Sequence, residues 1–225
     1  PAIGLVEAPL KKRLRIGFFT DKATGGKVHP ECIAGVHKTA SLLESLGHHV
    51  QEIALPVTEQ FAEDFLLYWA LMSASMKYTG KLLLGRSWDA SQMEPFSHQL
   101  ADYFTRRIHR LPMTLRRLKK FEFEYAEFFK QYDLLLSSTV GTPPPELGHL
   151  ALDLPFPIAQ ERLFEFACYT AAQNVSGAPA LTLPLHFAEG LPVGIHFGGD
   201  LGQERMLLQL GLQLEAATLN FTSVK

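Results

Sequence analysis

Four groups of side chains in this sequence have types and spacings that could do chemistry. Lys22 and Lys27 flank "ATGG", which faintly resembles a phosphate-cradling loop, but the spacing is wrong and no Ser or Thr follows Lys27, so a solvated loop is expected. Cys32 falls in the first turn of an expected helix, where the dipole favours a thiolate, although helix cysteines are more often buried and inert. Nine histidines invite a metal, yet no pair shows helical ligand spacing with an adjacent acid, and Cys32 and Cys168 stand far apart. No metal site and no cofactor are expected. Arg106, Arg107, Arg110, Arg116, Arg117, Lys119 and Lys120 form a basic run that could meet phosphates or an anionic membrane. Against that stand Glu122, Glu124 and Glu127, which can pair with it, and Ile108, Leu111, Leu115 and Leu118, which read as the buried side of a solvated helix.

Composition narrows the classes further. A net charge of -2 and a pI near 6.6 give no global field for nucleic acid, and neither nucleic acid nor membrane is expected as a partner. The longest apolar stretch, Phe65 to Met76, lies between Asp64 and Lys77 and falls short of the roughly 20 residues that span a bilayer. Two cysteines make no disulfide framework and no apolar leader opens the chain, so a reducing, cytoplasmic setting is the default expectation. "PAIGLVEAPLKKR" reads as a connecting segment, and the chain is expected to be part of a longer polypeptide.

The elements that would position such groups follow from periodicity. "LRIGFF" reads as a strand, and a helix should run from Pro30 toward Gly47 with Ile33, Val36, Ala40 and Leu43 on its apolar face. "HHVQEIAL" follows as a strand, which completes a crossover unit of an α/β sheet. Residues 58–132 should hold three or four helices, with breaks near Gly80, Gly85, Pro95 and Pro112. "YDLLLSST" returns to strand, "VGTPPPELG" is a loop, residues 160–173 read as helix, and "ALTLPL" and "LPVGIHFGG" form a hairpin before the amphipathic helix "QERMLLQLGLQLEAA". The strands are nearly continuous apolar runs, so burial on both faces is expected.

The order "YDLLLSSTVGTPPPELG", "GAPALTLPLHFAEGLPVGIHFGG" and the terminal helix resembles the C-terminal part of an amidase signature enzyme. Its most specific element is Asn174, Gly177, Pro179, Ala180 and Pro184 followed by Gly190, Leu191, Pro192 and Gly194. The resemblance runs from about Leu14 to Ala217 and is weakest between 58 and 130. It implies an α/β fold, a mixed sheet covered by helices on both faces, with residues 1–225 as one unit and 58–132 as a helical pocket region. In that fold the hairpin lies beside the nucleophile-bearing loop, where Gly177, Pro179, Gly190, Pro192 and Gly194 permit close backbone approach. Family chemistry uses a Lys, a cis-Ser and a nucleophilic Ser in a glycine- and serine-rich signature, and this chain contains no such signature. No catalytic residue is therefore expected within it.

By position in the resembled fold, Ser137, Ser138, Thr139 and Thr142, with Gln173 and Asn174, would orient a substrate carbonyl, while Tyr68 and Trp69 supply apolar contact. The expected partners are a small-molecule amide and the N-terminal half of the same enzyme, with self-association of the lone segment. Two departures from the glutamine-using amidotransferase branch bear on substrate: "KYTG" at Lys77 to Gly80 replaces an arginine, tyrosine, aspartate, glycine run, and Ala167 replaces an acid. An uncharged aryl or alkyl amide is the resulting expectation. The alternative is a noncatalytic α/β binding module whose basic helix at 106–120 docks an anionic partner.

Overall fold

The computed structural model describes residues 3–23, 27–54 and 57–218. Five strands form one mixed sheet in the order β2, β1, β3, β5, β4. β1 (Arg15–Phe18) pairs in parallel with β2 (His49–Glu52) and β3 (Leu134–Ser138). β5 (Leu191–Gly198) runs antiparallel to both β3 and the edge strand β4 (Ala180–Ala188). β2 is shorter than the strand read from sequence, whose Leu55 lies outside the described residues.

Two helices cover one face. α1 (Pro30–Ser45) starts on the proline expected at its first turn, and its Val36, Ala40 and Leu43 pack with Ile16, Leu134, Leu136, Ile195 and Phe197 of the strands. α7 (Glu204–Ala217) adds Leu207, Leu210 and Leu214 to that core. The opposite face meets a helical layer, in which α4 (Leu111–Phe128) and the short α6 (Ala171–Ser176) pack Leu118, Phe121, Tyr125 and Ala172 with Leu135 and Phe19. α2 (Glu59–Leu84), α3 (Pro95–Thr105) and α5 (Phe156–Phe166) build a further core from Leu66, Leu67, Ala70, Phe96, Leu100 and Ala159.

The structure departs from the sequence expectations where packing overrides local signals. Gly80 does not break α2, because it is a close-approach site: a Cβ there would fall 2.1 Å from Trp88 Nε1, which donates to the Met76 carbonyl at 3.0 Å. The helix instead ends at Gly85, whose φ of 103° stops it. The helix read over 160–173 is two helices with a break at residues 167–170, where the Phe166 carbonyl turns to accept Gly141 N–H at 2.8 Å. β4 is an edge strand whose Ala180, Thr182 and Pro184 are exposed, so it is not buried on both faces, and Pro184 costs the sheet no ladder bond there.

Candidate functional site

The break between α5 and α6 opens an apolar space beside some of the predicted residues. From α2, Phe61, Phe65, Tyr68, Trp69 and Met72 project along one face at helical spacing. Opposite them stand Leu163 and Phe164 of α5, the break residues Ala167 to Thr170, and Ala171, Ala172 and Asn174 of α6. Together with Ala23 and Val57 they enclose a cavity of about 380 Å³. That is the size of a site for a small organic molecule, and no charged side chain lines it among the described residues.

What holds the walls apart is specific. Tyr169 donates its hydroxyl to the Thr20 carbonyl at 2.7 Å, which ties the break to the loop after β1. Gly141 lets the proline-rich loop lie against the end of α5, since a Cβ there would meet the Glu165 carbonyl oxygen at 2.2 Å and Cys168 Sγ at 2.9 Å. On the α2 side, Asp64 accepts from Arg117 Nε and Nη2 at 2.6 Å each and from the Thr114 hydroxyl at 2.8 Å, which clasps α2 to α4. Cys168 faces the cavity, but burial pushes its thiol up to about 12, so it stays protonated and is no nucleophile at neutral pH. Cys32 is buried and its thiol is also raised, first by desolvation.

The predicted site residues divide into two places. Tyr68, Trp69 and Asn174 line the cavity. Ser137 and Ser138 close β3, and their hydroxyls donate to the backbone carbonyls of Ser138 at 3.0 Å and Val140 at 2.7 Å. The Thr139 and Thr182 hydroxyls stand 3.3 Å apart, and Thr142 is half-buried in the proline-rich loop. Gln173 donates to the Tyr125 hydroxyl at 2.8 Å and so joins α6 to α4. None of these five is among the cavity-lining residues. Sequence reasoning passed over Phe61, Phe65, Met72 and Phe164 as lining residues, although the spacing of Phe61, Phe65, Trp69 and Met72 on one helix face was a readable signal.

The small residues of the hairpin have local causes. Gly177 ends α6 with φ of 69°, and Gly190 turns between β4 and β5 with φ of 81°. Gly194 lies under Thr139 and Thr182, where a Cβ would come within 2.7 Å of Thr139 Oγ1. The Pro179 carbonyl accepts Gly199 N–H at 3.0 Å, and Pro192 sits opposite Phe187.

Elsewhere the basic run is largely paired: Arg117 with Asp64, Arg110 with Glu63, Lys119 with Glu122 and Lys120 with Glu124. Ile108 and Leu115 are 56% and 42% exposed, so they do not form the buried side that their spacing suggested; Thr114, Leu118 and Phe121 take that role. Lys22 is buried, unlike the solvated loop expected, while Thr24, Gly25 and Gly26 lie outside the described residues. No helix is long and apolar enough to cross a membrane, and no cluster of metal-ligating side chains occurs, both among the described residues.

Comparison with known proteins agrees with this architecture. A family model described as Amidase matches residues 6–208. AmiC of Mycobacterium leprae is 39% identical over 219 residues, covering 96% of this chain and 46% of that protein. A 6-aminohexanoate-cyclic-dimer hydrolase of Paenarthrobacter ureafaciens is 29% identical over 234 residues, again covering 96% and 46%. Among solved structures, a 6-aminohexanoate cyclic dimer hydrolase with bound substrate superposes with a TM-score of 0.75 at 26% identity, over 93% of this chain and 46% of that one. A bacterial aryl acylamidase of the amidase signature family shares the fold, with a TM-score of 0.72 at 20% identity over 92% of this chain and 44% of that one. The chain spans about half the length of the curated relatives it matches.

Proposed function

This chain belongs to the Amidase family, and on that premise we propose that it supplies the sheet and the substrate cavity of an enzyme that hydrolyses the C–N bond of a small uncharged aryl or alkyl amide. The observation that carries the reading is the aromatic cavity, which Ala167 lines at the position where the resemblance to the glutamine-using branch implies an acid. Lys77, the other departure from the glutamine-using branch, is held by Asp102 at 2.7 Å and is not among the lining residues. A substrate ammonium or carboxylate would enter such a cavity unpaired, which is costly, whereas a ring or alkyl chain gains from burial. A family model described as Amidase and a relative named 6-aminohexanoate-cyclic-dimer hydrolase support hydrolysis of an amide by the complete enzyme.

The nucleophile belongs to a segment outside these 225 residues. Ser137 and Ser138 give their protons to backbone carbonyls, and neither hydroxyl bonds a basic side chain among the described residues. In the proposed mechanism a neutral lysine takes a proton through a cis-serine from the attacking serine. The aromatic walls hold the substrate's apolar part and exclude water, and Asn174 offers the cavity an amide side chain. The pairing of most cations in the basic run weighs against an anion-docking module.

The test is to assay this chain alone, then with an upstream segment carrying the lysine and two serines, against aromatic and alkyl amides and glutamine. The chain alone should show no turnover, and the completed enzyme should favour aromatic over glutamine substrate by at least about tenfold in kcat/KM, a difference of about 1.4 kcal/mol. Turnover by the chain alone, or a preference for glutamine, would refute the proposal.

A further inference from the structure

A second pocket, of about 370 Å³, lies between the C-terminal end of α3 and the first turn of α5, and it shares no lining residue with the aromatic cavity. Tyr103 of α3 and Phe156 of α5 are its apolar walls, with ring centroids 5.6 Å apart. Arg106 and Arg107, which directly follow α3, line it as well.

Those two cations differ from most of the basic run. Arg110 and Arg117 pair with Glu63 and Asp64, and Lys119 and Lys120 with Glu122 and Glu124, whereas Arg106 and Arg107 have no ion-pair partner among the described residues. Asp102, the one carboxylate among the described lining residues, is held by Lys77 at 2.7 Å. Arg107 instead lies over the Tyr103 ring, its Cζ 3.9 Å from the centroid. A guanidinium seated on an aromatic face is held in place while its N–H edge stays open to an acceptor. The start of α5 adds to the same field, because that helix has no side-chain cap and the positive end of its dipole falls at the pocket.

We propose that this pocket is a binding site for a small carboxylate with an apolar body. The carboxylate takes the N–H edges of Arg106 and Arg107, whose planar forks match its two oxygens, and the body lies against Tyr103 and Phe156. The volume suits a single ring or a short chain. A phosphate dianion fits less well: Asp102 borders the site and repels a second negative charge, and the ring walls offer a purely polar ion nothing to bury. An uncharged amide of the same shape lacks the charge that the two guanidiniums select, so this pocket and the aromatic cavity discriminate in opposite directions.

The experiment titrates the full 225-residue chain with benzoate, benzamide and inorganic phosphate while the Nε–H resonances of Arg106 and Arg107 are followed by NMR. Benzoate should shift both resonances saturably, and benzamide should leave them in place. Arg107→Ala should weaken benzoate binding by at least about tenfold, the size expected for losing a hydrogen bond to a charged group. Arg116→Ala, which removes an exposed arginine outside the pocket, should change it by less than about twofold. Absence of a saturable shift overturns the proposal. So does an equal loss in Arg116→Ala, which would mean diffuse charge and no site, and so does tighter binding of phosphate than of benzoate. Should Arg107→Ala fail to fold, Arg106→Ala, at an exposed position, carries the same test. None of these readouts uses turnover, so the outcome is independent of the amide-hydrolase reading.

Discussion

The end of the sheet and the aromatic cavity differ in where their polar atoms go. At the sheet end the hydroxyls of Ser137, Ser138 and Thr139 are spent on one another's neighbourhood, two of them on backbone carbonyls. In the cavity, the walls come from Phe61, Phe65, Trp69, Met72 and Phe164, side chains with no chemistry of their own. Residue types that suggest reactivity therefore do structural work here, and in the proposed enzyme recognition falls to residues chosen for shape. The cavity also depends on helices, α2 above all, that hang on the sheet through few polar ties, whereas the sheet end is locked into strand register.

That dependence gives the largest expected effect. Asp64→Ala leaves the Arg117 guanidinium and the Thr114 hydroxyl without their shared acceptor. Breaking a buried pair on one side costs about 3–5 kcal/mol, and because Arg117 keeps partial solvent access the lower figure, about 3 kcal/mol, is expected. Hydrogen exchange should rise in α2 and α4 well before it rises in β3 and β5. If protection instead falls equally in both regions, the helical layer and the sheet unfold as one unit and the contrast between them fails.

The sheet side should show a pH dependence of similar or smaller size. His196 titrates near 6.5 when unfolded and, held down by desolvation, at about 4 in the fold. A depressed imidazole favours the neutral form, so its stability contribution is complete above pH 6.5, is lost as pH falls toward 4, and changes no further below that. The integrated effect is about 3 kcal/mol. His48 acts in the same direction: burial lowers its pKa, and its Nδ1 must stay unprotonated to accept Leu14 N–H at 3.1 Å. Urea midpoints of the chain at pH 7 and 4.5 should therefore fall, and His196→Gln should remove the larger share of the drop. An unchanged slope in that variant would mean that the ring is hydrated in solution.

Legibility followed the same division. The β1, α1, β2 crossover, the hairpin and α7 were readable because strand periods, Pro30, Gly47 and the turn at Glu189 and Gly190 are local signals that packing did not override. The resemblance reached the family through the same hairpin, and the match over residues 6–208 bears it out. The cavity was only half readable: Tyr68, Trp69 and Asn174 were named, but the break at residues 167–170 that opens it was not. That break is made by Gly141 N–H and the Thr20 carbonyl, tertiary partners that no window around residue 168 contains. Gly80 misled for the converse reason, since a glycine that admits Trp88 looks in sequence like one that ends a helix.

The smallest effect should come from the exposed face of α4, where the helical layer meets solvent. Lys119 lies 2.5 Å from Glu122, and Lys120 also pairs with Glu124, with all four side chains substantially open to water. Exposed pairs at these spacings gain little Coulomb energy, lose side-chain entropy and are screened by salt. Replacing Lys119 and Lys120 together by Ala should lower the unfolding free energy from urea titration by less than about 1 kcal/mol at low salt, and by less still near 1 M, where the Debye length is about 3 Å. The same variant separates the amidase from a module that docks anions. In a cavity enzyme, kcat/KM for an uncharged amide is indifferent to these cations and to salt, whereas a docking helix loses affinity for a polyanion steeply with each cation removed. A large salt-dependent loss of activity in the Lys119→Ala, Lys120→Ala variant would show that the charged helix, and not the aromatic cavity, does the recognising.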